Sequence, residues 1–68
     1  MSRRLVQADR MTADHLPVID GQPRFLVDIT RLDGDVVLHY VDDTDLVQEI
    51  QIWRTELVPC VPRAEVTS

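Results

Sequence analysis

The chain has 68 residues, a formal net charge of −5, 44% hydrophobic residues and 28% charged residues, which suffices for one small domain. A core of this size supplies only about 3–5 kcal/mol of net stability, and the single cysteine, Cys60, excludes an internal disulfide. No apolar run exceeds three residues, which excludes a transmembrane helix. No apolar stretch follows the basic start at Arg3 and Arg4, so we expect a cytoplasmic protein without an export signal.

Strand-forming residues dominate five segments, 4–8, 24–31, 36–41, 46–53 and 58–62. Between the first two segments, Thr12 is expected to cap one helical turn that Pro17 ends. Asp33 and Gly34 separate the second and third segments, and an Asp-Gly pair in this position predicts a hairpin with a type I′ turn. The prolines in 58–62 confine the last strand to a sheet edge.

The chain order predicts an all-β protein that is similar in architecture to a small five-stranded SH3-like barrel. Its centre is a three-stranded antiparallel meander, and residues 54–57 form one short helical turn before the last strand. We expect a single domain over 1–68, with an ordered core at about 4–62 and a frayed C-terminal tail at 63–68. This likeness is one of architecture, and it implies no function.

Pairing around the two meander turns predicts which side chains share a sheet face. The first turn places Val27 opposite Tyr40 and Asp28 opposite His39, and the second, at Asp43-Thr44, places Tyr40 opposite Val47. One face then carries Phe25, Val27, Ile29, Val36, Leu38, Tyr40, Val47 and Trp53. The other carries Leu26, Leu32, Val37, Val41, Leu46, Ile50 and Ile52. Both faces are therefore substantially apolar, whereas a barrel covers only one of them.

Two interpretations of this apolar surplus remain open. In the first, a bulge in the third meander strand turns Leu46, Ile50 and Ile52 into the same core as the other apolar residues. In the second, an exposed apolar face contacts a partner protein, with a second copy of the chain as one candidate. The contact residues would then be Tyr40, Val47 and Trp53.

The candidates for chemistry are few. His39 and Asp28 could form the hydrogen bond that orients a general base, but Cys60 lies between prolines with nothing nearby to activate its thiol. Cross-strand polar pairing explains the histidine and the aspartate equally well. The densest carboxylates lack the central glycine of a calcium loop; they are Asp42, Asp43, Asp45 and Glu49. We therefore predict no enzyme activity, no metal or other cofactor and no small-molecule substrate.

Charge is divided unevenly along the chain. Residues 1–31 carry a net charge of +1 and residues 32–68 a net charge of −6, and residues 33–49 contain six acids and no base. This acidic region would repel nucleic acid. We therefore predict a non-enzymatic protein-interaction module or small accessory protein, of bacterial or phage origin, whose acidic residues Asp42, Asp43, Asp45 and Glu49 steer the encounter. The alternative is a nucleic-acid-associated or transcription-regulating domain that uses Arg3, Arg4 and Arg10.

Overall fold

The computed structural model describes residues 3–67 and contains seven strands. The strands are β1 (Arg4–Gln7), β2 (His15–Ile19), β3 (Gln22–Pro23), β4 (Leu26–Arg31), β5 (Asp35–Val41), β6 (Val47–Trp53) and β7 (Leu57–Pro62). A 3₁₀ turn, Ala8–Arg10, follows β1, and a short helix, α1 (Arg63–Thr67), follows β7. The all-β prediction is confirmed.

The strands form two antiparallel sheets, in the orders β1-β7-β2-β3 and β4-β5-β6. The second sheet is the predicted meander. Neither sheet closes on itself, so the SH3-like barrel is not confirmed. Strand β7 lies between β1 and β2, so the prediction of an edge position for it is wrong.

At both positions where a helical turn is predicted, the structure has a single turn that is not part of a helix. Thr12 does accept a hydrogen bond from the backbone N–H of Asp14, but the segment turns there and continues as strand β2 with Pro17 buried in it. At the second position the chain makes a tight turn over residues 53–56, closed by a bond from the Glu56 N–H to the Trp53 carbonyl, and Leu57 begins β7. Within residues 3–67 the α-helix lies after β7, in the segment for which we predict a frayed tail, and residue 68 of that tail lies outside the described residues.

The two Asp-Gly pairs have different backbone conformations. Asp20 and Gly21 have φ angles of 56° and 78° and join β2 to β3, as a type I′ turn requires. Asp33 and Gly34 do connect β4 to β5 as predicted, but neither lies in the left-handed region. The hairpin prediction is therefore confirmed, and its type I′ geometry is found at the other pair.

The first meander pairing agrees with the sequence register up to a bulge. Asp28 lies opposite His39 as predicted, and a shift between Leu26 and Asp28 then places Leu26, rather than Val27, opposite Tyr40. The bulge is thus in β4 and not in the third meander strand. Val27 is consequently 55% exposed.

The second meander pairing differs from the prediction by one residue, because Val41 lies opposite Val47. The connecting turn is longer than expected: the N–H of Asp42 bonds to the Leu46 carbonyl, and Asp45 adopts a φ of 62°. A type I turn followed by a left-handed residue has this geometry. Since a shift of one residue exchanges the two faces of a strand, Ile52 turns to the core and Trp53 turns away from it.

The core lies between the two sheets. Its buried members come from β4 to β7 and from the segment after β1: Ala8, Met11, Leu26, Val36, Leu38, Ile52, Val58 and Cys60. Arg24 joins the two sheets: its Nε donates to the Ile19 carbonyl, and its guanidinium forms an ion pair with Asp43, with N and O 2.6 Å apart.

Candidate interaction surface

The side of the β4-β5-β6 sheet that faces away from the core is called here the outer face. Side chains alternate across a strand, so the outer face carries the residues between the buried ones: Asp28, Thr30, Asp35, Val37, His39, Val41, Val47, Glu49, Gln51 and Trp53. Trp53 is 74% exposed and Val47 is 56% exposed. They lie at the two ends of β6, about 20 Å apart at 3.3–3.4 Å per residue.

A polar network occupies the middle of the outer face. A 2.9 Å hydrogen bond joins the Thr30 hydroxyl to His39 Nε2, and His39 Nδ1 lies 3.5 Å from a Glu49 carboxylate oxygen. Asp28 instead accepts a 2.8 Å bond from the Ile29 N–H. The side chains of His39 and Asp28 therefore have different partners, although they lie opposite each other in the register.

The turn between β5 and β6 uses Asp42 as its centre. One carboxylate oxygen accepts bonds from the Thr44 hydroxyl, the Thr44 N–H and the Leu46 N–H, and the other accepts a bond from Gln48. These bonds, the Thr44 hydroxyl foremost, hold the pKa of the Asp42 carboxyl well below its ordinary value. Asp42 thus stabilises the turn that sets the register of β6.

The remaining predicted contact residues are separated by the fold. Tyr40 is half-buried and packs against the core, on the opposite side of the sheet from Val47 and Trp53. Asp43 forms an ion pair with Arg24, whereas Asp45 and Glu49 are exposed, and Glu49 lies beside His39. The arginines of the alternative prediction are exposed as well: Arg3, Arg4 and Arg10.

An apolar groove lies between the inner side of β6 and the other sheet. Its volume is about 120 Å³, and its walls include Leu38, Ile50 and Ile52 on one side and Leu57 and Pro59 on the other. Sequence reasoning missed this groove because it depends on how far the two sheets separate.

Strand β6 has a long unprotected edge. In the described residues, β5 is the one strand that pairs with it, and the segment Val47–Trp53 contains no proline, no glycine and a single charge, Glu49. Such edges are commonly blocked by charges, prolines or covering segments. At the C-terminal end of β4, the other edge strand of this sheet, Arg31 donates to the carbonyls of Asp9 and Met11.

The groups considered for chemistry lie in different parts of the fold, Cys60 in the core and His39 and Asp28 on the outer face. The side chain of Cys60 is fully buried and its Sγ donates to the Val58 carbonyl, while burial raises the thiol pKa to about 11. Over residues 3–67, no three His, Cys, Asp or Glu side chains come together as a metal site. None of the helices formed by these residues has the length and apolar character needed to cross a membrane.

Comparison of the chain with protein-family models, with curated proteins and with solved structures finds no match.

Proposed function

We propose that this protein is a non-enzymatic interaction module of the cytoplasm that binds another protein chain along β6. The observation that carries the proposal is the free edge of β6, a seven-residue strand that ends in an indole with 74% of its surface in water. An exposed, apolar edge strand readily pairs with another chain, and tryptophan is enriched among the residues that dominate binding energy.

Two features near β6 also support protein binding along this strand. The apolar groove on the inner side of β6 offers pockets for alternate side chains of an added strand, which is how strand addition gains specificity. Asp45 and Glu49 are exposed at the turn and along the strand, where they would affect the rate of encounter more than the affinity. An SH3-like barrel remains our proposal for the architecture, and this function does not rest on it.

Site-specific photocrosslinking in the producing cells tests the proposal. The photoreactive residue p-benzoylphenylalanine replaces Trp53 in one variant and Leu5 in the control, because Leu5 is 66% exposed on β1, at the edge of the other sheet. We expect a discrete protein adduct from position 53 and none from position 5. No adduct at position 53, or equal adducts at both positions, would refute the proposal.

A further inference from the structure

We infer that the chain that binds β6 is a second copy of this protein, paired antiparallel through β6 about a twofold axis at Ile50. This inference rests on the proposed function of β6 as a binding edge. It would join the two meanders into one continuous six-stranded sheet with an isologous interface.

The turn before β6 sets which backbone groups point outward. The bond from the Asp42 N–H to the Leu46 carbonyl starts an alternation along the β5-β6 pair. Residues at even positions of β6 then exchange bonds with β5, while odd positions direct their N–H and C=O groups to the free edge. The outward-directed residues are Val47, Glu49, Gln51 and Trp53.

One register between two such edges pairs every residue of the strand. With the axis at Ile50, Val47 lies opposite Trp53 of the partner subunit, and Glu49 lies opposite Gln51 of the partner subunit. In this register the residues whose N–H and C=O groups point to the free edge lie opposite each other, so they can exchange the backbone hydrogen bonds of an antiparallel pair. The two exposed apolar side chains at the ends of β6 then meet in pairs, an arrangement that stabilises antiparallel sheets.

The neighbouring registers are less favourable. A shift of two residues one way places Glu49 opposite Glu49 of the partner subunit, and like charges directly opposite each other destabilise a sheet. A shift of two residues the other way leaves Val47 beyond the paired region and places Trp53 opposite Glu49 of the partner subunit. The central register separates the two carboxylates and also covers Val47 and Trp53.

The segment itself shows why a second copy is a suitable occupant. Val47–Trp53 combines β-branched and aromatic residues with low net charge and no proline or glycine, the composition of segments that pair with their own kind. In a closed twofold dimer the β6 edge of each copy is paired with the β6 edge of the other, so no further copy can add through β6.

Charge gives a way to recognise this partner. Each chain carries a net charge of −5, so two copies repel, and added salt should strengthen their association by screening. Association with a basic partner would weaken as salt rises. The direction of the salt effect therefore separates a second copy from a basic protein segment.

Sedimentation equilibrium of the full chain over a concentration series is the first test. We expect a transition from 7.8 kDa to twice that mass, at lower concentration in higher salt. Trp53→Ser removes two cross-strand pairs from each dimer, and we expect it to raise the dissociation constant about tenfold. Leu5→Ser is the control and should leave the constant unchanged. A monomer at all concentrations, or an equal effect of both substitutions, would overturn the inference.

Disulfide trapping tests the register. Glu49→Cys and Gln51→Cys variants are mixed in a glutathione redox buffer, in which oxidised glutathione is reduced as each disulfide forms, while the buried Cys60 stays protected. Directly opposite bonded residues lie about 5.5 Å apart at Cα, within disulfide range, so we expect the mixed 49–51 product to dominate. Dominant 49–49 or 51–51 products would overturn the register.

The two proposals fail in different ways. A discrete adduct between position 53 and a different protein, with a chain that stays monomeric, overturns the second-copy inference and leaves the proposed function intact. Absence of any adduct at position 53 overturns both. A crosslinked dimer of this chain supports both.

Discussion

Replacing Ile52 and Trp53 in turn tests which of these two neighbours on β6 belongs to the core. Ile52 is 9% exposed and lies opposite Val36, which is itself buried, whereas Trp53 is 74% exposed and lies opposite Asp35. The register predicted from sequence places Trp53 on the same face as Val36 and Ile52 on the other face, and it leaves open which of the two is buried. The two substitutions therefore distinguish the observed β5-β6 pairing from one shifted by a single residue.

The expected magnitudes follow from burial. Ile52→Val removes one methylene from a packed site and should cost about 0.5–1.5 kcal/mol, whereas Ile52→Ala should cost about 2–5 kcal/mol. The free energy of unfolding of the whole domain is expected to be only about 3–5 kcal/mol. The alanine variant should therefore be largely unfolded, and the loss of stability is best measured on the valine variant. Trp53→Ala should cost the monomer only about 0.5 kcal/mol, because its indole is already in water.

Urea and thermal unfolding of dilute protein, followed by far-ultraviolet circular dichroism, measures both effects without relying on tryptophan fluorescence. Dilution keeps the chain monomeric, so that any loss of dimer contacts does not enter the result. Each kcal/mol should lower Tm by about 4–8 °C in a domain of this size. A cost of about 3–5 kcal/mol for Trp53→Ala together with no cost for Ile52→Val would refute the observed register.

Three further predictions concern the turns and the thiol. Gly21→Ala should lower the free energy of unfolding by about 1–2 kcal/mol because φ is 78° there. Gly34→Ala should leave it unchanged, because φ lies outside the left-handed region and the space around Gly34 is open. Equal losses for the two variants in urea titrations would contradict this assignment. Asp42→Asn should lower stability at pH 7. The pKa of Asp42 in the folded chain lies below its unfolded value of about 3.9. The stability difference between the native chain and the variant should therefore be fully present above about pH 5 and shrink as the pH falls below about 4. A stability difference that is independent of pH would contradict the role of the carboxylate. Cys60 should react with a thiol reagent only on unfolding, because its thiol is buried and its pKa is raised to about 11; rapid labelling of the folded chain would exclude this environment.

The local elements were predictable where neighbouring residues decide them. The strand character of β4, β5 and β6 follows from their β-branched and aromatic composition, and the pairing of Asp28 with His39 follows from the short Asp33-Gly34 connection. Strand β2 was not predictable in the same way. It contains Pro17, and its pairing with β7 joins residues more than forty positions apart.

The surface of β6 also combines features that the sequence predicts with features that it does not. Exposure of Val47 and Trp53 was one of the two interpretations that the sequence left open, and their exposure is what the structure shows. Tyr40 was grouped with them from the expected register, and the longer turn around Asp42 separates it from them. A single extra turn residue accounts for this difference, because side chains along a strand alternate with a period of two.

Composition and local pattern alone determined that this chain is all-β, with a central meander and without an internal disulfide. Tertiary structure alone decided that the strands divide into two sheets, that Arg24 and Asp42 hold the β5-β6 turn, and that β6 presents a free edge beside an apolar groove. The physical reason is the separation along the sequence of the residues that interact. Strand propensity depends on adjacent residues, whereas register, sheet closure and edge exposure depend on contacts between residues far apart in the chain.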